Sequence, residues 1–556
     1  MSKPGPLSPD GVVVDETAPT APPSAKGTGH HLGRHFRLVT LATGTSRIAG
    51  YLRDTLNAKL FGAGLVSDSY FMAVRIPSLL RDLFAEGALS NAFVPALSAR
   101  LEKGREAEAW ELMSQVFTLL CLVTGALTAL GIFFAPQVVW VIAQGFVGNQ
   151  DKFQLTVSLT RILFPVLSCV SLAALWMGAL NSLHRFTAPA FAPVFMNLAQ
   201  IVMGVLLIKV WPAATPAEEI RNVHLWAISM TLGMLLQWLS QVPDGLKAGI
   251  HLRWSWPPNH PGLQEMWKLL APAVVSQSVL QVNLLVNQFF ASFLATGYVT
   301  YLYYGNRLFQ LPYGVLGISI ATITFPLLAR QSSGGQMVEF SKTLNKALAT
   351  SFFLMVPCTV GIWIVAQPAC RLAFEYGKFS PEATTLSAEA TALYALGLVG
   401  YTGAKILQPA YYACRDARFP LRASLAAMAA NAGLNLSAFL FIQDTHWRFW
   451  GLALASVLGA CVNFGLLLWG IPRLKVRLDT GFQTSEGTKV LLATFFMGTA
   501  AWGTLHWIQD LPVPGHRFLD FLLPVSVGGI VYFALAKALR LTGLNWVLGR
   551  REERKP

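Results

Sequence analysis

The chain is expected to be an all-α polytopic membrane protein of about fourteen transmembrane helices, built as two six-helix lobes around a central cavity with two more helices at the C-terminal end. Three observations lead there. Of the 556 residues 54% are hydrophobic and only 13% charged, and the mean hydropathy is +0.49; soluble domains carry about 25% charged residues. Fourteen apolar segments each reach the roughly 20 residues that a helix needs to cross the hydrocarbon core. Charge within the first two segments is too dense for lipid and requires a polar interior between helices.

Residues 1–35 are rich in Pro, Ser, Thr and Gly and contain no apolar stretch fit for a signal peptide, so they read as a disordered tail. The apolar segments follow at 37–61, 66–98, 110–135, 153–182, 187–210, 223–243, 266–295, 298–329, 345–367, 384–413, 419–442, 449–471, 488–508 and 518–540. Segments one to six, within 36–243, form the expected first lobe, and seven to twelve, within 244–471, the second. Residues 472–545 hold the last pair, and 546–556 are a basic tail.

Lys and Arg accumulate in short cytoplasmic loops, and an even number of spans puts both ends of the chain on one side. Taking that side as the cytoplasm assigns 27 of the 42 Lys and Arg residues to inner segments and 7 to outer loops, with the other eight inside spans. One mid-chain span more or fewer would swap every later loop and destroy this asymmetry. The net charge of +14 thus follows from topology. Nucleic-acid binding would want a basic patch on a soluble domain, which the chain lacks.

A faint repeat relates the halves. Tyr70 to Arg75, then Phe93, Pro95 and Arg100, resemble Tyr303, Tyr304 and Arg307, then Phe325, Pro326 and Arg330. Six spans separate the copies, so they run in the same direction, and repeated halves are a common transporter design.

The embedded charges are the candidate site. In the first segment Arg47 and Asp54 are seven apart and share a face, with Arg53 turned about 120° from Arg47. A local ion pair with arginines reaching the interface is the plain alternative; it suits Lys59 near the segment end, whereas Arg47 and Arg53 lie further in and are read as ligands. In the second segment Asp68 and Arg75 share a face, as do Asp82 and Glu86. Pro77 and Gly87 interrupt it, and a carbonyl freed by proline must be satisfied by neighbours or water. Arg81, one turn beyond Pro77, is the ligand candidate there, with pairing to Asp82 or Glu86 as the alternative. Arg307, in YLYYGNRLFQLPYG, has no acid within four residues. It needs a carboxylate on another helix or an anionic ligand, and the ligand is favoured. Arg161 is evenly balanced between structure and function, and Lys405 is read as a second-lobe cavity residue. His184 and His251 fall in loops and suggest no proton relay.

Guanidinium groups suit bidentate binding of phosphate or carboxylate, so the expected substrate is anionic. No G-x-S-x-G elbow, Walker A loop or H-E-x-x-H motif competes with that reading. The six cysteines stand singly, without zinc or redox spacing, so no cofactor or metal is expected.

SRIAGYLRD, FGAG, SDSYFMAVRIPSLLRDLFAEGALSNAFVPALSAR, YGNRLFQLPYGVLG and EYGKFSP closely resemble the MurJ (MviN) family of lipid II flippases, within the multidrug/oligosaccharidyl-lipid/polysaccharide exporter superfamily. The likeness extends from about residue 40 to 540 in helix count and order. It implies an inner-membrane protein, both termini cytoplasmic, that moves the peptidoglycan precursor lipid II from the cytoplasmic to the periplasmic leaflet. It further implies that Arg47, Arg53, Arg81 and Arg307 receive the diphosphate headgroup, that Asp68 is functionally required, and that the last two helices form a groove for the polyprenyl tail. Asp54, Glu86, Arg75 and Lys405 are the accompanying cavity or gating candidates. Family members often carry acids at the positions of Asn306 and Gln310, so this chain's second-lobe site is more positive than usual and its coupling ion is open. Lipid II and the bilayer are the expected partners, and contacts with cell-wall synthesis enzymes are compatible with transport. The alternatives are an exporter of another lipid-linked oligosaccharide or small molecule, and a membrane glycosyltransferase, which would need catalytic acids and a larger outer loop.

Overall fold

The computed structural model describes residues 28–84, 88–476, 478–509 and 516–547. Fourteen helical rods run through them. They are α1 (Thr28–Phe61), α2 (Leu65–Phe84 together with Ala88–Glu102), α3 (Glu106–Phe133), α4 (Gln150–Ser182), α5 (Thr187–Lys209), α6 (Pro216–Lys247) and α7 (Pro261–Ser292). Then come α8 (Tyr298–Ser333), α9 (Met337–Phe374), α10 (Pro381–Ala395 with Leu398–Ala413), α11 (Arg418–Phe441), α12 (Thr445–Trp469), α13 (Thr480–Gln509) and α14 (His516–Ala538). Among the described residues nine helices are long and apolar enough to cross a membrane, ten with the bent pair of α10. With α1, α2, α7 and α13, rods of similar length, the arrangement is consistent with the fourteen spans expected.

Local sequence sets the ends and breaks. Thr215 and Glu218 form a capping box with Pro216 in the first turn of α6, and Ser380 and Asp444 accept from backbone N–H groups at the starts of α10 and α12. Each satisfies donors that a helix start leaves unpaired. Helix α4 is interrupted at Pro165, and α10 bends by 44° near Gly397. In α8, Pro312 supplies no N–H, and the register slips into a π-helical turn over Tyr313–Gly317. The chain is already helical from Thr28, which corrects the disordered tail expected through residue 35; residues 1–27 lie outside the described ones. The expected basic tail begins inside a short helix, Thr542–Val547.

Packing reveals the two lobes. In the first, α1 packs on α5, α5 on α6, α2 on α4 and α4 on α6; in the second, α7 packs on α11, α11 on α12, α8 on α10 and α10 on α12. Each pairing recurs six helices later. The interruptions recur too: α2 and α8 both carry interior prolines, Pro77 and Pro95 against Pro312 and Pro326, and α4 and α10 are both broken. Helices α13 and α14 pack on α9, where Tyr532 Oη donates to the Phe353 carbonyl (2.6 Å). Large apolar side chains such as Phe133, Phe441 and Ile530 face outward. An apolar surface of this extent suits a lipid surround.

An amide ladder ties the second lobe together inside. Asn431 donates to Asn283 (2.7 Å) and Asn287 (2.8 Å), Asn435 donates to Asn287 (2.9 Å), and Asn287 donates to Ser456 (3.1 Å). This joins α7, α11 and α12 by polar contacts of the kind that hold helices in lipid.

Candidate functional site

The lobes meet in three layers, stacked from one end of the bundle inward. The outermost is built on Asp68, in the first turn of α2 and 0% exposed. Its Oδ2 accepts from Lys152 Nζ of α4 (2.7 Å) and from Gly297 N (2.7 Å); its Oδ1 accepts from Thr300 N (2.9 Å) and Thr300 Oγ1 (2.7 Å). The carboxylate therefore caps the start of α8, where free N–H groups and the helix dipole favour negative charge. Gly297 makes this approach with φ +97°, a left-handed turn that a side chain disfavours. Lys152 also lies 4.1 Å from the centre of the Phe146 ring. At the same end Lys378 N donates to the Lys59 carbonyl (3.0 Å) and Lys378 Nζ pairs with Glu219 (2.8 Å), giving the lobes a second polar contact.

Beneath lies an aromatic layer. Phe71 of α2 stacks on Tyr303 of α8 with ring centres 3.8 Å apart, and Tyr304 packs edge-on to Phe71 and against Phe374 and Phe379. Tyr304 Oη donates to Asn57 Oδ1 (3.0 Å) on α1.

The third layer is charged. Asp54 is buried, and its Oδ1 accepts from Arg53 Nε (3.0 Å) and Nη2 (2.7 Å). Its Oδ2 lies 2.6 Å from Arg307 Nε, an ion pair across the lobes without hydrogen-bond geometry. Arg53 Nη1 donates to Asn197 Oδ1 of α5 (3.1 Å), and Tyr51 Oη donates to the Arg307 carbonyl (3.2 Å) while its ring lies 5.0 Å beneath the guanidinium. A Cβ at Gly50 would come within 3.2 Å of Arg307 Nη2, so glycine lets that side chain lie close on α1. Two guanidiniums share one carboxylate, leaving one positive charge in excess. Arg53 and Arg307 lie about 12–14 Å along their helices from the Asp68 end, so the charge sits within the membrane, where it needs such partners.

The opposite end is held differently. Arg100, at the end of α2, reaches one carboxylate oxygen of Glu265 on α7 with both Nη atoms (3.2 Å each), and the Glu265 side chain is 60% exposed. The Arg100 side chain is only 12% exposed, so the pair is buried on the arginine side and open on the glutamate side. Breaking a buried pair such as Asp68–Lys152 by removing one partner costs about 3–5 kcal/mol. The polar contact between the lobes is fully buried at the Asp68 end and partly open at the Arg100 end, where Leu263 and Met266 of α7 also pack in one apolar core with Leu89, Phe93 and Leu97 of α2.

The sequence matches the family described as "Lipid II flippase MurJ" over residues 57–521. The chain belongs to the MurJ family. A probable lipid II flippase MurJ of Rhizobium meliloti is 34% identical over 532 residues, covering 93% of this chain and 95% of the relative. The lipid II flippase MurJ of Burkholderia cenocepacia is 33% identical over 526 residues, covering 92% and 97%. Among solved structures, a lipid II flippase MurJ in an inward closed conformation superposes with TM-score 0.74 at 25% identity, covering 92% of this chain and all of that one. A MATE family multidrug transporter of the MOP superfamily, inward-facing, shares the fold with TM-score 0.65 at 14% identity, covering 77% and 94%.

Within this MurJ family chain the structure gathers Arg53, Asp54 and Arg307 into one cluster and places Asp68 in a separate lock. The expected face shared by Asp68 and Arg75 does not pair them through Asp68, because four donors from α4 and α8 occupy its carboxylate. Asp54 likewise pairs with Arg53 and Arg307 rather than Arg47. Of the two partners weighed for Arg307, the carboxylate on another helix is present. Arg47 is exposed, one turn from Tyr51; Arg75 and Arg81 are half-buried on α2. Glu86 lies outside the described residues, as does the side chain of Asp82. Lys405 is exposed and stands apart from the cluster, and Asn306 accepts from Gln310 Nε2 on the exposed face of α8. Lys152, Asn197 and Glu265 were not singled out from sequence, and Tyr303 was read there only as part of the repeat. Lys152 reads there as an ordinary loop lysine, whereas Asn197, one of two amides with Gln200 in the apolar run FAPVFMNLAQ, was a usable signal.

Proposed function

We propose that this chain translocates lipid II, the polyprenyl diphosphate-linked peptidoglycan precursor, from the cytoplasmic to the periplasmic leaflet by alternating access. One observation carries the reading: Asp54 holds Arg53 of one lobe and Arg307 of the other within the membrane, with one positive charge in excess. A diphosphate entering between the lobes competes with Asp54 for both guanidiniums and offers each a bidentate partner. Asp54 thus acts as an internal stand-in for the substrate's anion. Arg47 and Arg81 extend the positive surface along α1 and α2.

The positive-inside bias supports placing both termini in the cytoplasm, which puts the Asp68 lock at the periplasmic end and the Arg100–Glu265 bridge at the cytoplasmic end. The bridge that is open to solvent on its glutamate side then parts first and admits the headgroup. Capture of the arginines loosens the Asp54 junction between lobes, and the lock parts to release the headgroup outward. In this reading residues 36–243 and 244–471 are the two moving lobes, and 472–545 guide the polyprenyl tail. Cell-wall synthesis enzymes that consume the flipped precursor are the partners it implies on the outer face. A membrane potential negative inside favours outward movement of negative charge by about 2.3 kcal/mol per charge per 100 mV.

The test is rescue of cells depleted of their lipid II flippase, with headgroup flipping measured in parallel in oriented vesicles. The full chain rescues and flips, and Arg53→Ala does neither. Failure of the full chain to flip lipid II in vesicles refutes the reading. Undiminished flipping with the potential collapsed refutes the driving force alone.

A further inference from the structure

Arg53 and Arg307 share the Asp54 carboxylate, yet the two guanidiniums are held by different means. Arg307 rests over the Tyr51 ring and in an ion pair without hydrogen-bond geometry. Arg53 is hydrogen-bonded along both edges of its fork. Nε and Nη2 face Asp54, whereas Nη1 donates to Asn197 Oδ1 (3.1 Å) and to Met196 Sδ (3.6 Å), both on α5.

Asn197 is only 4% exposed, and its amide fits one way round. Nδ2 donates to the Ser46 carbonyl of α1 (3.3 Å) and to the Pro193 carbonyl one turn back on α5 (3.1 Å). Carbonyl oxygens only accept, so exchanging the amide oxygen and nitrogen would set oxygen against two oxygens and an amide donor against Arg53 Nη1. Oδ1 is thereby fixed towards the arginine. The backbone behind it is fixed as well: a Cβ at Gly233 of α6 would come 3.0 Å from Met196 Cα and O, so glycine lets α6 lie directly against this turn of α5. On the other side a Cβ at Gly50 of α1 would come 3.8 Å from Asn197 Oδ1. Three helices of the first lobe therefore hold the amide in place.

We propose that Asn197 is a positioning residue for headgroup capture: it ties Arg53 by Nη1 to the first lobe, so that the opposite edge, Nε and Nη2, is presented to whatever anion lies between the lobes. In the structure that anion is the Asp54 carboxylate. During transport it is a phosphate of the headgroup, and Arg53 accepts it without reorienting. A planar fork already held along one edge loses less freedom when its other edge binds. The two arginines then have unlike roles: Arg53 is the fixed receptor, and Arg307, held by a ring and an ion pair, is the arm that moves with the second lobe. The inference rests on the reading that the arginine cluster receives the diphosphate.

A double-mutant cycle on the purified full chain tests it, with Asn197→Ala, Arg53→Lys and the two combined. Lysine keeps the charge but, as a point donor, cannot hold Asp54 and Asn197 from two edges. Two quantities are measured: thermal melting without ligand, and the dissociation constant for lipid II. Asn197→Ala weakens lipid II binding about tenfold, the worth of one hydrogen bond to a charged group, and costs almost nothing further in the Arg53→Lys background. Asn197→Leu, which fills the space, shows the same loss and serves where alanine fails to fold. Packing alone would lower the melting temperature equally in both backgrounds, so additive melting shifts overturn the tie to Arg53 whether or not lipid II binds. Wild-type affinity for lipid II in folded Asn197→Ala, or an equal loss of affinity in both backgrounds, overturns the positioning role. If wild type binds no lipid II, the substrate reading fails and the capture role with it, while the melting cycle still decides whether Asn197 holds Arg53.

Discussion

Replacing Asp68 by asparagine should unseal the end of the molecule that Asp68 closes. Four donors from three residues converge on its carboxylate at 2.7–2.9 Å, and the Lys152 side chain among them is only 4% exposed. Asparagine keeps one acceptor oxygen, sufficient for Thr300. Its amide nitrogen then faces Gly297 N–H and Lys152 Nζ, both donors, and leaves a buried ammonium without counter-charge. Removing one partner of such a pair costs about 3–5 kcal/mol, and the closed form bears that cost because opening lets Lys152 hydrate. Taking the lower end, the ratio of open to closed molecules rises about 100-fold. A cysteine at Met72, fully buried beneath the lock, reports this in a background lacking the six native cysteines. A membrane-impermeant thiol reagent should label it at least about tenfold faster in Asp68→Asn, and Lys152→Met in the same chain should restore slow labelling by removing the stranded charge. An unchanged labelling rate in folded Asp68→Asn refutes the lock.

At the opposite end Glu265→Ala strips a mostly buried Arg100 of its carboxylate, so it should lower stability by about 1–3 kcal/mol, read as a lower melting temperature, while raising reagent access from the Arg100 end. Arg307→Lys keeps the charge but loses the planar fork, so headgroup flipping should fall sharply while a thermal melt stays close to wild type; wild-type flipping would remove Arg307 from the site. Gly297→Ala places a Cβ in a left-handed turn, which costs about 1–2 kcal/mol, and should mimic Asp68→Asn weakly in the Met72 labelling assay. Asn431→Leu removes two hydrogen bonds to α7 and should destabilise the second lobe by about 1–3 kcal/mol at roughly 0.6–1.7 each, read as a lower unfolding midpoint in mild denaturant.

Much of the fold was legible in the chain because hydrophobic length is a local property. Every expected span overlaps an observed helix, and the prolines at 95 and 326 that suggested a repeat sit in equivalent rods, α2 and α8. The start of α1 was misplaced: a Gly- and His-containing stretch with no apolar run gives no span signal, yet Thr28 already begins the helix that continues through Phe61. Arg53, Asp54 and Arg307 were visible for a different reason, since charge inside an apolar run stands out wherever its partner lies. Lys152 and Glu265 were not, because each sits near a helix end where lysine and glutamate are ordinary.

By itself the sequence determined the class of protein, where its long apolar helices run and the presence of expensive buried charge, all of which follow from composition along short stretches. Pairing was decided only by tertiary structure. Asp54 and Arg307 lie 253 positions apart and Asp68 and Thr300 lie 232 apart, and no periodicity relates them. Folding two lobes against each other turns Asp68 from a helix-face neighbour of Arg75 into the cap of α8. It also turns Arg307 from a lone cation into half of a shared ion pair, because in a low-dielectric interior each charge must find whichever opposite charge the packing brings within reach.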